Sequence, residues 1–211
     1  MLDQETGPDA GVAPLWLPTL QELARRASHE IKNALNGVAV NLEVLRSRLD
    51  RAAGQGEGVA AATAPFANTA AQQLEELSAL SDALLTMTRA INGRADVVVL
   101  TRRAVRLVAA IARAEGRAVT LAEPQIAAPL TAVTADVVRW LIVRLLLDGL
   151  GEQRSLALSI EEGPVVVVNA SPQPLPELDP ELGAAAESFG VRLTSDAGAW
   201  MVRFPPLSDL T

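Results

Sequence analysis

The sequence holds no cysteine, a single histidine (His29) and a single lysine (Lys32). Without cysteine there is no disulfide, no thiolate metal site, no iron–sulfur cluster and no cysteine nucleophile. With one imidazole, a zinc site built on two histidines of this chain is excluded, and any Ser-His-Asp arrangement has to use His29. Basic residues are also few. Lys and Arg total 18 against 25 Asp and Glu, for a net charge of −7 and a pI near 4.8. A chain with that balance lacks the basic face of a general nucleic-acid or anionic-membrane binder. No stretch reaches the roughly 18 to 20 apolar residues that span a bilayer. The opening residues, MLDQETGPDAG, are acidic and polar, unlike a signal peptide. Together these absences predict a cytoplasmic protein that binds neither nucleic acid nor membrane.

What is present is a chain of 211 residues, 49% hydrophobic, long enough to bury a core in one large domain or two small ones. Residues 1–14 read as a disordered lead. A helix is predicted from near Leu17–Thr19 to about Arg51, with Pro18 in its first turn and Thr19 as a cap. Ala24, Ile31, Val38 and Leu45 form one heptad row, and Ser28, Leu35, Leu42 and Leu49 the other. The segment AAGQGEG (52–58) breaks the pattern. A second helix is predicted over 65–92, where Ala70, Leu77, Leu84 and Ile91 repeat every seven residues and Leu80 and Met87 join them. Asn92-Gly93 suits its C-cap. Two long antiparallel helices with narrow apolar seams do not bury themselves alone. Residues 15–93 are therefore predicted to be a helical hairpin that closes a four-helix bundle as a homodimer.

Residues 96–208 show a different pattern. VVVL (97–100) reads as a short strand, Thr101–Glu115 as a helix and 118–124 as a strand. Thr134–Leu150 is a strongly apolar helix in which Trp140, Leu141, Leu145 and Leu146 are candidate core. Strands are predicted at 155–162 and 165–170 about a Gly163-Pro164 turn. A Pro-rich loop (171–180), a short helix (181–190) and a final hairpin follow, with Trp200, Val202 and Phe204 alternating as in a half-buried strand. Helices alternating with antiparallel strands predict an α+β sandwich, a sheet with one face covered by helices.

The candidate site lies on the first helix. Residues at i, i+3, i+4 and i+7 share a helical face, so His29 aligns with Arg25, Lys32, Asn33 and Asn36. That stripe is polar and flanks the heptad seam, which predicts a solvent-facing imidazole. A neutral exposed imidazole is a competent nucleophile near pH 7. Lys32 and Asn33 suit an incoming anion by charge and hydrogen bonding. Glu30 suits the Nδ1 proton, which raises the basicity of Nε2. The plain alternative is that a lone histidine on a polar helix face is a solvated side chain and nothing more, and that Arg25 and Arg26 form surface ion pairs.

The segment His29-Glu30-Ile31-Lys32-Asn33-Ala34-Leu35 resembles the H-box of bacterial sensor histidine kinases, commonly H-E-[IL]-[KR]-N-P-L, with Ala34 in place of the usual proline. The resemblance extends in layout over roughly residues 15 to 207. It implies a dimerisation and phosphotransfer bundle followed by a Bergerat-type sandwich, which normally binds ATP. It also implies that His29 carries a phosphoryl group, that Glu30 assists proton transfer and that Asn33 helps in phosphatase chemistry. The second half departs from the family pattern. The asparagines that hold magnesium and phosphates in the family fall at Arg144 and Asp148, and an arginine cannot ligate a cation. The D-x-G-x-G motif falls at Asn169-Ala170-Ser171-Pro172-Gln173, so the adenine-binding aspartate becomes Asn169 and both glycines are missing. Prolines in 171–180 replace a glycine-rich lid, removing N–H donors where phosphate needs them.

The resulting expectation is a degenerate ATPase-like domain with ATP binding lost and magnesium met only through a partner. The chain is then expected to be a histidine phosphotransferase that exchanges a phosphoryl group between His29 and the aspartate of response-regulator receiver domains. Arg25 and Asn36 are expected at the partner interface. The alternative is a dimeric pseudokinase that binds or scaffolds a receiver without chemistry. An active ATP-dependent histidine kinase and a receiver phosphatase complete the set.

Overall fold

The computed structural model describes residues 11–52, 59–88, 95–123, 130–151 and 154–207. They divide into two units, one comprising Ala24–Thr86 and the other Met1–Leu23 with Met87–Thr211. Expectations that fall on 1–10, on 53–58 and on Asn92-Gly93 lie outside the described residues.

The first unit is built from helix α1 (Ala13–Ala52) beyond Leu23 and helix α2 (Val59–Thr88) up to Thr86. Ala27 and Val38 of α1 and Ala70 and Leu80 of α2 are its buried apolar positions among the described residues. Asn41 Nδ2 donates to Gln73 Oε1 at 3.1 Å, and the Arg48 guanidinium lies 4.4 Å from the centre of the Phe66 ring. One heptad forward on α1 is thus one heptad back on α2, the register of an antiparallel pair. Gly37 lets the Gln73 amide lie close against α1; a Cβ there would make the Gln73 side chain shift aside. The second heptad row does not enter this seam. Leu35, Leu42 and Leu49 stay 47%, 53% and 53% exposed.

Both helices start earlier than the proline positions suggested. α1 begins at Ala13, ahead of the expected Leu17–Thr19, and Pro18 lies inside it. A proline this close to the N-terminus forfeits one backbone bond and fits the helical φ, so the helix extends upstream through it. Thr19 is not a cap; it is buried and its hydroxyl donates to the Leu15 carbonyl at 3.2 Å. α2 likewise begins at Val59 rather than Pro65.

In the second unit, α3 (Val97–Ala114), α4 (Ala135–Gly149) and α5 (Pro180–Ser188) accompany a five-stranded sheet of order β2-β4-β5-β7-β6. Its strands are β2 (Val119–Leu121), β4 (Ser155–Glu161), β5 (Val165–Ser171), β6 (Arg192–Asp196) and β7 (Ala199–Arg203). β2 runs parallel to β4, so the sheet is mixed rather than antiparallel throughout. A two-stranded ribbon, β1 (Ala95–Asp96) with β3 (Leu130–Thr131), was not foreseen. Residues 11–23 belong to this unit by their contacts: Val12 and Leu23 are buried, and a Cβ on Gly11 would touch the Phe189 ring at 3.4 Å.

The expected strand at 97–100 is a helix. Asp96 caps α3 by accepting from the Val99 N–H at 2.9 Å, which satisfies one of the orphan donors of the first turn. Val97, Val98, Leu100, Ala104, Val105, Leu107, Val108 and Ile111 are then buried along one side, the spacing of a helix and not of a strand. The cap and this packing override the β preference of three valines. α3 ends at Ala114, and Gly116, just past the Glu115 cap, takes a φ of +70° that costs glycine nothing.

α4 is apolar nearly all round and buried along nearly all its length, as the central helix of a core must be. Its buried guanidinium, Arg139, donates from Nη1 to the Met87 carbonyl at 2.9 Å and pairs with Asp136. Across the sheet, Leu158 faces Val168 and Val168 faces Trp200, while Ile160 faces Val166 and Val166 faces Val202. These rows are buried, and period-two alternation puts them on one face. Trp140 meets Phe189 edge-on at 5.9 Å between ring centres.

Candidate functional site

His29 sits near the middle of α1, where ordinary helical spacing brings residues one and four positions on beside it. Its side chain is 73% exposed, while that of Glu30 is 11% exposed. Glu30 Oε1 lies 3.2 Å from His29 Nδ1. Asn33 Nδ2 lies 3.1 Å from the same nitrogen. The largely buried Glu30 side chain holds one edge of an otherwise solvated ring. With Nδ1 engaged, Nε2 at the far side of the ring is the atom left for chemistry. When Nδ1–H donates to the Glu30 carboxylate, the Nε2 lone pair is the nucleophile.

Arg25, Lys32 and Asn36 are exposed on the turns around His29. They furnish charge and amide groups along the stripe, and the direct contacts to the ring come from Glu30 and Asn33. The sequence pattern identified the members of this stripe. It did not show that Glu30 and Asn33 converge on one atom, because that depends on side-chain rotamers.

Residues 19–93 match the family described as the His Kinase A (phospho-acceptor) domain. Over that segment, the hairpin is similar to the phospho-acceptor domains of that family. A helical hairpin that matches this family, followed by an α/β domain with a mixed sheet, is consistent with the histidine kinase fold. Among solved structures, the Acinetobacter baumannii histidine kinase AdeS is 8% identical, with 78% of this chain and 94% of that chain covered at a TM-score of 0.34. That likeness is too distant to carry residue roles across. No curated protein matches the chain.

In the α/β unit, the positions where the kinase pattern has magnesium-binding asparagines carry an ion pair. Arg144 Nε donates to Asp148 Oδ2 at 2.7 Å across one turn of α4. Asn169 is exposed near the end of β5. Among the described residues, no group of three or more His, Asp or Glu is placed to hold a metal ion, and no helix is long and apolar enough to cross a membrane.

Proposed function

We propose that this chain is a homodimeric histidine phosphotransferase of a two-component phosphorelay, exchanging a phosphoryl group between His29 and the aspartate of response-regulator receiver domains without ATP. The observation that carries the reading is the exposed His29 ring with Nδ1 held by Glu30, in a phospho-acceptor hairpin. The Nε2 lone pair attacks the phosphorus of an aspartyl phosphate. The new N–P bond forms as the P–O bond to aspartate breaks, and the electron pair leaves with the carboxylate. Glu30 stabilises the positive charge that builds on the ring. Lys32 supplies a fixed charge for the phosphoryl oxygens. Magnesium enters only with the receiver.

The residues at the expected nucleotide positions do not fit magnesium–ATP. The Arg144–Asp148 pair neutralises itself where a cation needs oxygen ligands, and prolines at 172, 174 and 176 withhold N–H donors from phosphate. A phosphoryl group that arrives already activated removes the need for that site. Exposed Leu35, Leu42 and Leu49 supply an apolar row for a second copy. Arg25 and Asn36 extend the polar stripe toward the receiver. The reading expects the cytoplasm, where receiver domains act.

The test is transfer of radiolabel from a phosphorylated receiver to the wild-type chain and not to His29→Ala. The same self-paired Arg144–Asp148 suits a pseudokinase scaffold equally well. That second reading is favoured if both proteins bind the receiver and neither takes up label. Labelling from magnesium–ATP alone would instead mark an active kinase.

A further inference from the structure

Nδ1 of an imidazole has one in-plane position for hydrogen bonding, filled by an N–H or by a lone pair and never by both. Two side chains reach that position in His29 with opposite demands. The Glu30 carboxylate, at 3.2 Å, only accepts. The Asn33 amide nitrogen, at 3.1 Å, only donates. The two hydrogen bonds therefore exclude each other, and each selects a different tautomer. Bonding to Glu30 puts the proton on Nδ1 and the lone pair on Nε2. Bonding to Asn33 puts the lone pair on Nδ1 and the proton on Nε2.

We propose that Asn33 is a positioning residue that competes with Glu30 for Nδ1 and so sets the tautomer, and with it the nucleophilicity, of His29. The functional consequence rests on the phosphotransfer reading, whereas the tautomer balance itself does not. With the ring on Glu30, Nε2 accepts phosphorus. With the ring on Asn33, Nε2 carries a proton and cannot.

The competition continues after transfer. Phosphorylated Nε2 has no proton, and the ring has two forms. In one, Nδ1–H stays on Glu30, and breaking the N–P bond releases a neutral imidazole, a good leaving group. In the other, Nδ1 has given its proton to water and accepts from Asn33. Breaking the N–P bond then expels an imidazolide anion, a poor leaving group. Asn33 therefore holds the free ring in reserve and lengthens the life of the phosphorylated one.

His29 is the only histidine of the chain, so its two ring nitrogens are read by nitrogen-15 NMR without assignment. The experiment compares the full chain with Asn33→Ala, Asn33→Asp and Glu30→Ala at a pH where the ring is neutral. Loss of the Asn33 donor is expected to move the tautomer ratio toward Nδ1–H by about fivefold, the worth of one ordinary hydrogen bond. Asn33→Asp keeps the size and offers only acceptors, so it moves the ratio the same way. Glu30→Ala moves it toward Nε2–H. A ratio that stays within twofold of wild type in both Asn33 variants overturns the proposal. All four proteins are then phosphorylated with phosphoramidate, a small-molecule donor that needs no receiver. The phosphohistidine of Asn33→Ala is expected to hydrolyse severalfold faster than wild type, and an equal lifetime overturns the second half of the proposal. If the ratio moves as expected yet no receiver ever labels His29, the tautomer assignment stands and the phosphotransfer reading falls.

Discussion

The exposed leucine row of α1 makes a quantitative prediction about assembly. Leu35, Leu42 and Leu49 each leave about half of their side-chain surface in water in the isolated chain. Burying a whole leucine side chain is worth roughly 1.5 to 3 kcal/mol, so the exposed half of each is worth about 1 kcal/mol. Three leucines on each of two copies then contribute about 6 kcal/mol to a four-helix bundle. Replacing all three with glutamine removes that term and leaves helix propensity nearly unchanged. The dimer dissociation constant is expected to rise by about ten-thousandfold. Sedimentation equilibrium across a concentration series reads it directly, with circular dichroism to confirm that the helices persist. Wild type and triple variant that sediment alike, both as monomers or both as dimers, would refute the assignment of this row to the interface.

Three further outcomes test the rest of the account. Asp96→Ala should cost about 1 kcal/mol, and Asp96→Asn almost nothing, because asparagine keeps the capping oxygen; thermal unfolding should show a loss of about 3 °C for the alanine variant alone. Arg139→Ala should cost about 3 kcal/mol in urea unfolding, because it strips the Met87 carbonyl and Asp136 of a buried donor; a cost below about 1 kcal/mol would show that the guanidinium is not holding that joint. Titration with magnesium–ATP should give no binding heat. Measurable binding would show that the Arg144–Asp148 pair opens for a cation and would revive the kinase reading.

The site was readable from sequence because its geometry is local. A helix long enough to carry heptad rows fixes which residues stand one and four positions from His29, whatever the rest of the chain does. Strands β4 and β7 were readable for a similar reason, since alternation along Leu156–Ile160 and Trp200–Phe204 needs only one buried face. The strand expected at 97–100 failed because three adjacent valines carry no helical period by themselves; the Asp96 cap and the burial of the following turns decide their conformation. The parallel pairing of β2 with β4 and the two-residue ribbon β1–β3 are tertiary outcomes with no local signature. The shared claim of Glu30 and Asn33 on Nδ1 was equally invisible, because spacing places side chains near one another but does not choose their rotamers.

The central claim is that Nε2 of His29 accepts phosphorus from a receiver aspartate. Phosphorus-31 NMR of the nitrogen-15-labelled chain, after incubation with a phosphorylated receiver and no ATP, tests it most directly. The account predicts one acid-labile phosphorus resonance coupled to Nε2 of His29, absent in His29→Ala. Coupling to Nδ1, or no phosphorus on the protein while the receiver remains phosphorylated, would contradict it.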